Sequence, residues 1–285
     1  MGILYIVATP IGNLGDISKR AIEVLSNSDI ILCEDTRTSS NLLNYYNIKT
    51  RLISYHKFNE EKRSSEIINL LKENKNISLI TDAGTPCISD PGSILIRDCI
   101  KNNIEIYSIP GPSALITALT LSGLEINNFA FYGFLERKNS NQQQQLNIIN
   151  ENDIETVIFY ESPKRIIDTI RNIELVMNNP YIVLVNDLTK KFEKKYYGLA
   201  NNVIKDLENN KNHELGEYVI VVSKNKKEKQ ENKQDLSIEA LLIDKVIKEK
   251  CTIKDAIKVL ANEYKNKYSK NEIYNASLNI KKLLS

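Results

Sequence analysis

The chain has 285 residues, of which 42% are hydrophobic, and its formal net charge is only +2. That length exceeds one minimal core and suits two packed units plus an appendage, and the near-balanced charge excludes a polycation. Lys224–Ser285 alone holds 15 Lys against 9 acidic residues, a net of +6, whereas the remainder carries −4. A weakly acidic body with a basic C-terminal piece points either to contact with a polyanion or to a solvated Lys-rich segment. The four cysteines show no C-x-x-C spacing and there are two histidines, which excludes a zinc constellation and leaves no metal expected. Reduced structural thiols fit a cytoplasmic protein. No apolar run is long enough to span a bilayer, and the apolar start Met1–Val7 lacks the basic region and cleavage site of a signal peptide.

In chain order, Ile3–Ala8 reads as a buried strand, and Asp16 as the N-cap of a helix carrying Ile17, Ala21, Val24 and Leu25. Strand Asp29–Cys33, helix Ser39–Tyr46, strand Leu52–Tyr55 and helix Glu60–Lys72 follow. Strand Ile77–Ile80, a long loop to Gly92, helix Ile94–Lys101, strand Ile104–Ile109 and helix Ser113–Leu121 complete the first half. Strands alternating with helices predict a mostly parallel sheet covered on both faces. The second half reads as strands Phe129–Phe134, Thr156–Tyr160, Tyr181–Asn186, Phe192–Tyr197 and Tyr218–Val222, separated by helices Gln142–Asn150, Pro163–Met177 and Asn202–Asn209. The short Thr189–Lys191 connection predicts an antiparallel hairpin and hence a mixed sheet. The expected organisation is an N-terminal α/β domain (1–122), a second α/β domain (123–223), a polar linker (224–236) and a helical extension (237–285). In the extension, Thr252…Asp255 and Ser269…Glu272 read as capping boxes.

Loops rich in Gly, Pro and small polar residues stand where strands end: Thr9–Asp16, Thr81–Pro86, Ile88–Gly92 and Ile109–Ala114. In parallel sheets ligands bind outside the carboxyl ends of strands, and several such loops in one half predict a shared small-molecule site. There is neither a G-x-x-x-x-G-K-[ST] nor a G-x-G-x-x-G pattern, so the residues alone identify no ligand. Polar groups also gather at strand ends. They are Glu34-Asp35-Thr36-Arg37, Ser54-Tyr55-His56-Lys57, Tyr160-Glu161-Ser162-Pro163-Lys164-Arg165 and Asp187-Leu188-Thr189-Lys190-Lys191. A Glu-Asp pair serves acid–base work or binds an ammonium or sulfonium; the competing reading is pairing with Arg37 or helix capping. His56 is read as structural before catalytic, and N-terminal helix stabilisation alone would account for Glu161.

The ordered set Tyr5–Asp16, Cys33–Arg37, Thr81–Pro86 with Ser89–Gly92, Pro110–Ala114, Phe131–Leu135, Phe159–Pro163 and Gly216–Tyr218 resembles one family. It is the bacterial 16S rRNA cytidine 2′-O-ribose methyltransferases of the tetrapyrrole methylase superfamily. The resemblance runs in order over roughly residues 2 to 223, and the tail segment Ser269–Tyr274 resembles that family's C-terminal extension.

The resemblance implies two α/β domains of the tetrapyrrole methylase type with S-adenosylmethionine in the cleft between them, and a homodimer. It places the cofactor against Pro10, Asp82, Ala83, Gly84, Thr85, Pro86, Ser89, Ser113, Ala114, Tyr132 and Leu188. It makes small-subunit rRNA, in the assembled 30S subunit, the partner. Glu34 and Asp35 are the first candidates for a base or orienter, with Arg37 holding them or a phosphate, and Glu161 is the second. His56, Arg137, Lys138, Lys164, Arg165 and Lys190 are candidates for RNA contact. The alternatives are a methylase acting on a tetrapyrrole and a non-catalytic RNA- or ribosome-binding protein. The helical extension is a candidate docking module, against a stabilising cap. The chain departs from the family's pattern at Phe58, Glu136, the run Gln142–Gln145 and Asn186, all on the RNA side of the resemblance rather than in the cofactor loops.

Overall fold

The computed structural model describes residues 1–224, 237–264 and 268–284. The chain forms two compact units, Met1–Asn225 and Lys226–Ser285. In the first unit, β1 (Leu4–Val7), β2 (Ile30–Cys33), β3 (Arg51–Ser54), β4 (Ile77–Leu79) and β5 (Ile106–Ile109) form a five-stranded sheet in the order β3-β2-β4-β1-β5. Every pairing in it is parallel. The helices between these strands are α1 (Lys19–Asn27), α2 (Thr36–Tyr45), α3 (Glu60–Lys72), α4 (Ser93–Lys101) and α5 (Ala114–Leu121). Strands covered on both faces need apolar residues on both, and β2 and β4 are buried throughout. Leu4, Ile6, Ile30, Leu32, Ile77 and Leu79 face α3 and α4, whereas Val7, Ile31 and Cys33 face α1 and α2.

The second sheet comprises β6 (Phe129–Phe134), β7 (Thr156–Glu161), β8 (Tyr181–Asn186), β9 (Lys194–Leu199) and β10 (Tyr218–Ser223), in the order β6-β7-β10-β8-β9. Only β6 and β7 run parallel; β10 pairs antiparallel with β7 and β8, and β8–β9 is the expected hairpin. One face packs on α6 (Asn139–Glu151), α7 (Ile166–Met177) and α8 (Ala200–Glu208), through Val157, Phe159, Ile182, Leu184 and Ile220. The alternate residues Ile158, Val183, Val185, Val219 and Val221 face the other way, onto Leu115, Ala118 and Leu119 of α5 and onto Ile11. Helix α5 follows the first sheet in the chain but buries its side chains on the second. That explains its almost wholly apolar sequence, ALITALTL.

Several local expectations are corrected. Asp16 ends a 3-10 turn (Leu14–Asp16), and the α1 N-cap is Ser18, whose Oγ accepts from the Ala21 N–H at 3.1 Å. Helix α2 begins at Thr36 rather than Ser39, because Asp35 is its cap. Pro163–Arg165 is a separate 3-10 turn ahead of α7. The expected linker 224–236 lies outside the described residues except for Lys224, which belongs to the folded body. Its Nζ donates to the Ile149 and Asn152 carbonyls and to Asn152 Oδ1, each at 2.8 Å.

The second unit contains α9 (Ile238–Glu249), α10 (Ile253–Glu263) and α11 (Lys270–Leu284), packed around Leu242, Leu260, Ile273 and Ile280. Both capping boxes form. Thr252 Oγ1 accepts from the Asp255 N–H at 3.3 Å, and the Ser269 N–H donates to Glu272 Oε2 at 2.7 Å while Ser269 Oγ accepts from the Glu272 N–H at 3.3 Å. Among the described residues, three of its lysines are paired within the unit: Lys245 with Glu249 and Glu263, Lys248 with Asp244, Lys258 with Asp255. Among the described residues, no helix is long and apolar enough to cross a membrane.

Candidate active site

The carboxyl ends of β1, β4 and β5 open toward those of β6, β7 and β8, and a cleft of about 340 Å³ lies between them. This is where an open parallel sheet binds ligands, and the volume is that of a small-molecule site. Interlocked loops build its first wall. Thr9 and Gly84 exchange backbone hydrogen bonds of 2.9 and 3.1 Å, Thr9 Oγ1 donates to the Thr81 carbonyl at 3.1 Å, and Thr85 Oγ1 donates to the Pro112 carbonyl at 3.0 Å. Gly84 takes a φ of +85°, and a Cβ there would lie 3.3 Å from Ile11 Cγ2, so a side chain would crowd the cleft. Ser89 adopts a φ of +67° in the same loop, and a Cβ on Gly133 (φ +64°) would lie 3.2 Å from Ser89 Oγ. That glycine lets β6 close against the loop from the first sheet.

A second tie joins the walls. The Leu115 N–H, in the first turn of α5, donates to the Tyr160 hydroxyl on β7 at 3.1 Å. Tyr160→Phe removes this acceptor and leaves a helix-terminal N–H unpaired. The expected result is a loss of about 1 kcal/mol in stability and weaker cofactor binding, read by urea denaturation and calorimetric titration. Unchanged values in both would show that the tie does not hold the cleft.

Ala83, Gly84, Thr85, Ser89, Ser113, Ala114 and Leu188 line the cleft. Of the other residues expected at the cofactor, Pro10 and Pro86 are buried, and Asp82 Oδ1 accepts from the Asp35 N–H at 3.4 Å. Tyr132 is a correction. Its ring packs beside Phe159 among the residues facing α6–α8, and its hydroxyl accepts from Asn152 Nδ2 at 2.6 Å. Phe131 and Phe134 are the aromatic residues of β6 that face the other way. Ile11, Ile88, Asp90, Tyr160, Ser162, Glu217 and Val219 also line the cleft, and sequence reasoning missed them. The signal for Asp90 was its position directly after Ser89.

The four acid–base candidates separate. Asp35 caps α2: Oδ1 accepts from the Arg37 N–H at 2.8 Å, and the Arg37 guanidinium chelates the carboxylate at 2.7 and 3.1 Å. These bonds hold Asp35 at about 2, which makes it a weak base, and they occupy Arg37. Glu34 lies at the end of β2, where its Oε1 accepts from Thr81 Oγ1 at 2.8 Å. Glu161 is buried and fully engaged: Oε1 accepts from the Ser162 N–H at 2.7 Å, Oε2 from Thr169 Oγ1 at 2.7 Å, and Arg165 Nη2 lies 3.2 Å away.

Among the RNA candidates, Arg137, Lys138 and Lys164 are exposed. Arg165 and Lys190 are partly exposed, and structural partners hold them. Arg165 donates to the Leu135 and Glu136 carbonyls at 3.0 and 2.8 Å. Lys190 donates to Asp187 and Glu217, each at 2.8 Å, and its stem packs against Gly12. His56 is tied to Asn59 through its N–H at 2.9 Å and its Nε2 at 3.2 Å, and its Nδ1 has no hydrogen-bond partner. The glutamine run is structural: buried Gln142 bonds Thr169, Asn172 and the Glu136 carbonyl, and Gln145 Oε1 accepts from the Glu136 N–H at 3.0 Å.

Apolar side chains (Ile11, Ile88, Leu188, Val219) give the cleft surface for a purine ring and a thioether. Its charged lining groups are Asp90, Glu161 and Glu217, all carboxylates. Such a lining suits a ligand that carries a sulfonium and an ammonium.

The model of the tetrapyrrole (corrin/porphyrin) methylases matches residues 3–203. Among solved structures, a diphthine synthase superposes with a TM-score of 0.60 at 14% identity, covering 78% of this chain and 90% of that one. The ribosomal RNA small subunit methyltransferase I of Haemophilus influenzae is 41% identical over 282 residues, 97% of this chain and 96% of that protein. The protein of the same name from Thermotoga maritima is 40% identical over 223 residues, 78% of this chain but 99% of that protein. Fold and cleft thus define a methyltransferase of the tetrapyrrole methylase class, which uses S-adenosylmethionine. Within that class, the chain belongs to the ribosomal RNA small subunit methyltransferase I family.

Proposed function

We propose that this chain transfers a methyl group from S-adenosylmethionine to the ribose 2′-hydroxyl of a cytidine in small-subunit rRNA. It does so on the assembled 30S subunit, as a cytoplasmic homodimer. The observation that carries this reading is the two-walled cleft whose charged lining groups, among the described residues, are all carboxylates. Ala83–Thr85, Ser89, Ser113, Ala114 and Leu188 would hold the cofactor, which supplies a methyl carbon on a good leaving group. Alignment of acceptor and donor therefore provides much of the acceleration. The exposed cations Arg137, Lys138 and Lys164 follow the lining residues Phe134 and Pro163 closely in the chain, which suits them to rRNA phosphates near the acceptor. The 2′-hydroxyl, unique to RNA, is a poor nucleophile at neutral pH and gains from a base that takes its proton.

The test is incubation with methyl-labelled S-adenosylmethionine and small subunits from a strain lacking the modification, with naked rRNA alongside. Alkali-resistant linkages are then mapped. One new resistant site at a cytidine, stronger in subunits than in naked rRNA, is the expected result. Cofactor binding without label in either RNA would overturn the substrate assignment.

A further inference from the structure

The turn between β8 and β9, residues 187–193, is clamped along its length. The Asp187 N–H donates to the Glu217 carbonyl at 2.9 Å, the Lys190 N–H to the Asp187 carbonyl at 3.0 Å and the Glu193 N–H to the Lys190 carbonyl at 3.2 Å. The Thr189 N–H donates to Glu193 Oε2 at 2.6 Å, and Thr189 Oγ1 accepts from the Asn13 N–H at 3.1 Å. Near the end of this turn stands Phe192, 72% exposed. Lys191 Nζ lies over its ring, 5.5 Å from the centre. Lys191 is itself exposed, and among the described residues no carboxylate pairs with it. Lys190, by contrast, is held by Asp187 and by Glu217 of the cleft lining.

Single exposed apolar side chains are ordinary on a protein surface. Three things set Phe192 apart: its turn is too tightly bonded to fold the ring away, an uncommitted ammonium lies beside it, and it follows the cleft-lining Leu188 by four residues. An open aromatic face next to an ammonium matches the two halves of one nucleotide, a flat base and an anionic phosphate. Unpaired RNA is recognised by stacking its splayed bases on aromatic side chains, and such stacking accepts any base. The charge around the ring agrees. Lys190–Lys195 carries four lysines against one glutamate, a surface that attracts a polyanion and repels a second copy of itself.

We propose that Phe192 stacks an unpaired base of the rRNA strand beside the acceptor nucleotide, with Lys191 on that strand's phosphate. The assignment rests on the rRNA-methylation reading above and adds how the strand is held at the rim of the cleft. Phe192 takes no part in the chemical step. Its contact is the same before and during methyl transfer, so its loss raises KM for the RNA and leaves kcat in place.

The chain contains no tryptophan, so Phe192→Trp introduces a lone indole whose emission reports on this position alone. Adding an unstructured oligocytidylate is expected to quench that emission, and raising the salt to restore it. In methylation of small subunits, Phe192→Ala is expected to raise KM about 5- to 150-fold with cofactor affinity unchanged, and Phe192→Tyr to keep KM near wild type. Lys191→Gln is expected to lower the salt slope of oligocytidylate binding by about one. An indole emission indifferent to the strand, or a wild-type KM in Phe192→Ala, overturns the stacking assignment while ribose labelling by wild type leaves the function reading standing. A Phe192→Ala protein that sediments in a different oligomeric state makes the ring a subunit contact and also overturns it. A wild-type protein that binds cofactor yet labels no ribose overturns the function reading and the stacking assignment together.

Discussion

Glu161→Ala is expected to unfold at a clearly lower urea concentration than wild type, with a loss of roughly 3–5 kcal/mol. The side chain of Glu161 is wholly buried at the end of β7, where it meets Arg165 at 3.2 Å and accepts from Ser162 and Thr169 at 2.7 Å each. Removing the carboxylate leaves a partly buried guanidinium without its counter-charge and a backbone N–H without an acceptor. Breaking one side of a buried pair costs more than the pair contributes relative to apolar substitutes, because the remaining charge stays desolvated. Glu161→Gln keeps the shape and one acceptor, so a smaller loss of about 1.5–3 kcal/mol is expected. Because Glu161, Ser162 and Pro163 all line the cleft, affinity for S-adenosylmethionine should fall in the same order. Urea denaturation followed by circular dichroism, paired with calorimetric titration, checks both. A Glu161→Ala protein of wild-type stability but negligible turnover would instead return Glu161 to the role of base.

The same network shows why the region after β6 was hard to read. Glu136 and the glutamine run looked like lost RNA contacts because they depart there from the pattern of the family the sequence resembles. In the fold, the Glu136 carbonyl accepts from Arg165 and Gln142, and Gln142 lies buried between α6 and α7. The structural partners of Arg165 and Lys190 were not legible either. Their carboxylate partners are near in sequence, but only the strand ends and the β8–β9 turn close them together.

The parallel first sheet was legible because strands buried on both faces are plain apolar runs. The cleft loops were legible because glycine and proline punctuate the strand ends that carry them. Which face of β6 fronts the cleft was not legible. FAFYGF is aromatic on both faces, so no polar alternation separates Phe131 from Tyr132. The loop that carries Asp90 was legible, but the raised carboxyl was not, because it comes from burial and from the charge of Glu34, which arrives from a different strand. The helical unit was legible from its capping boxes and periodicity, but the pairing of its lysines was not.

Asp90→Asn should make the protein more stable at pH 8. The sign follows from proton binding. The folded carboxyl holds its proton up to about 7, while the unfolded one releases it near the ordinary 3.8. Between those values the folded state binds more protons, so stability falls as pH rises from about 4 to 7 and the penalty persists above that. A rise of this size would amount to ~4 kcal/mol for a group sealed from water. Asp90 opens on the cleft, where solvent screens it, so a gain of about 1–2 kcal/mol is the reasonable expectation. Urea midpoints of the two proteins should differ at pH 8 and converge toward pH 4. A variant no more stable than wild type at pH 8 would mean that the ionised Asp90 is not strained by its site.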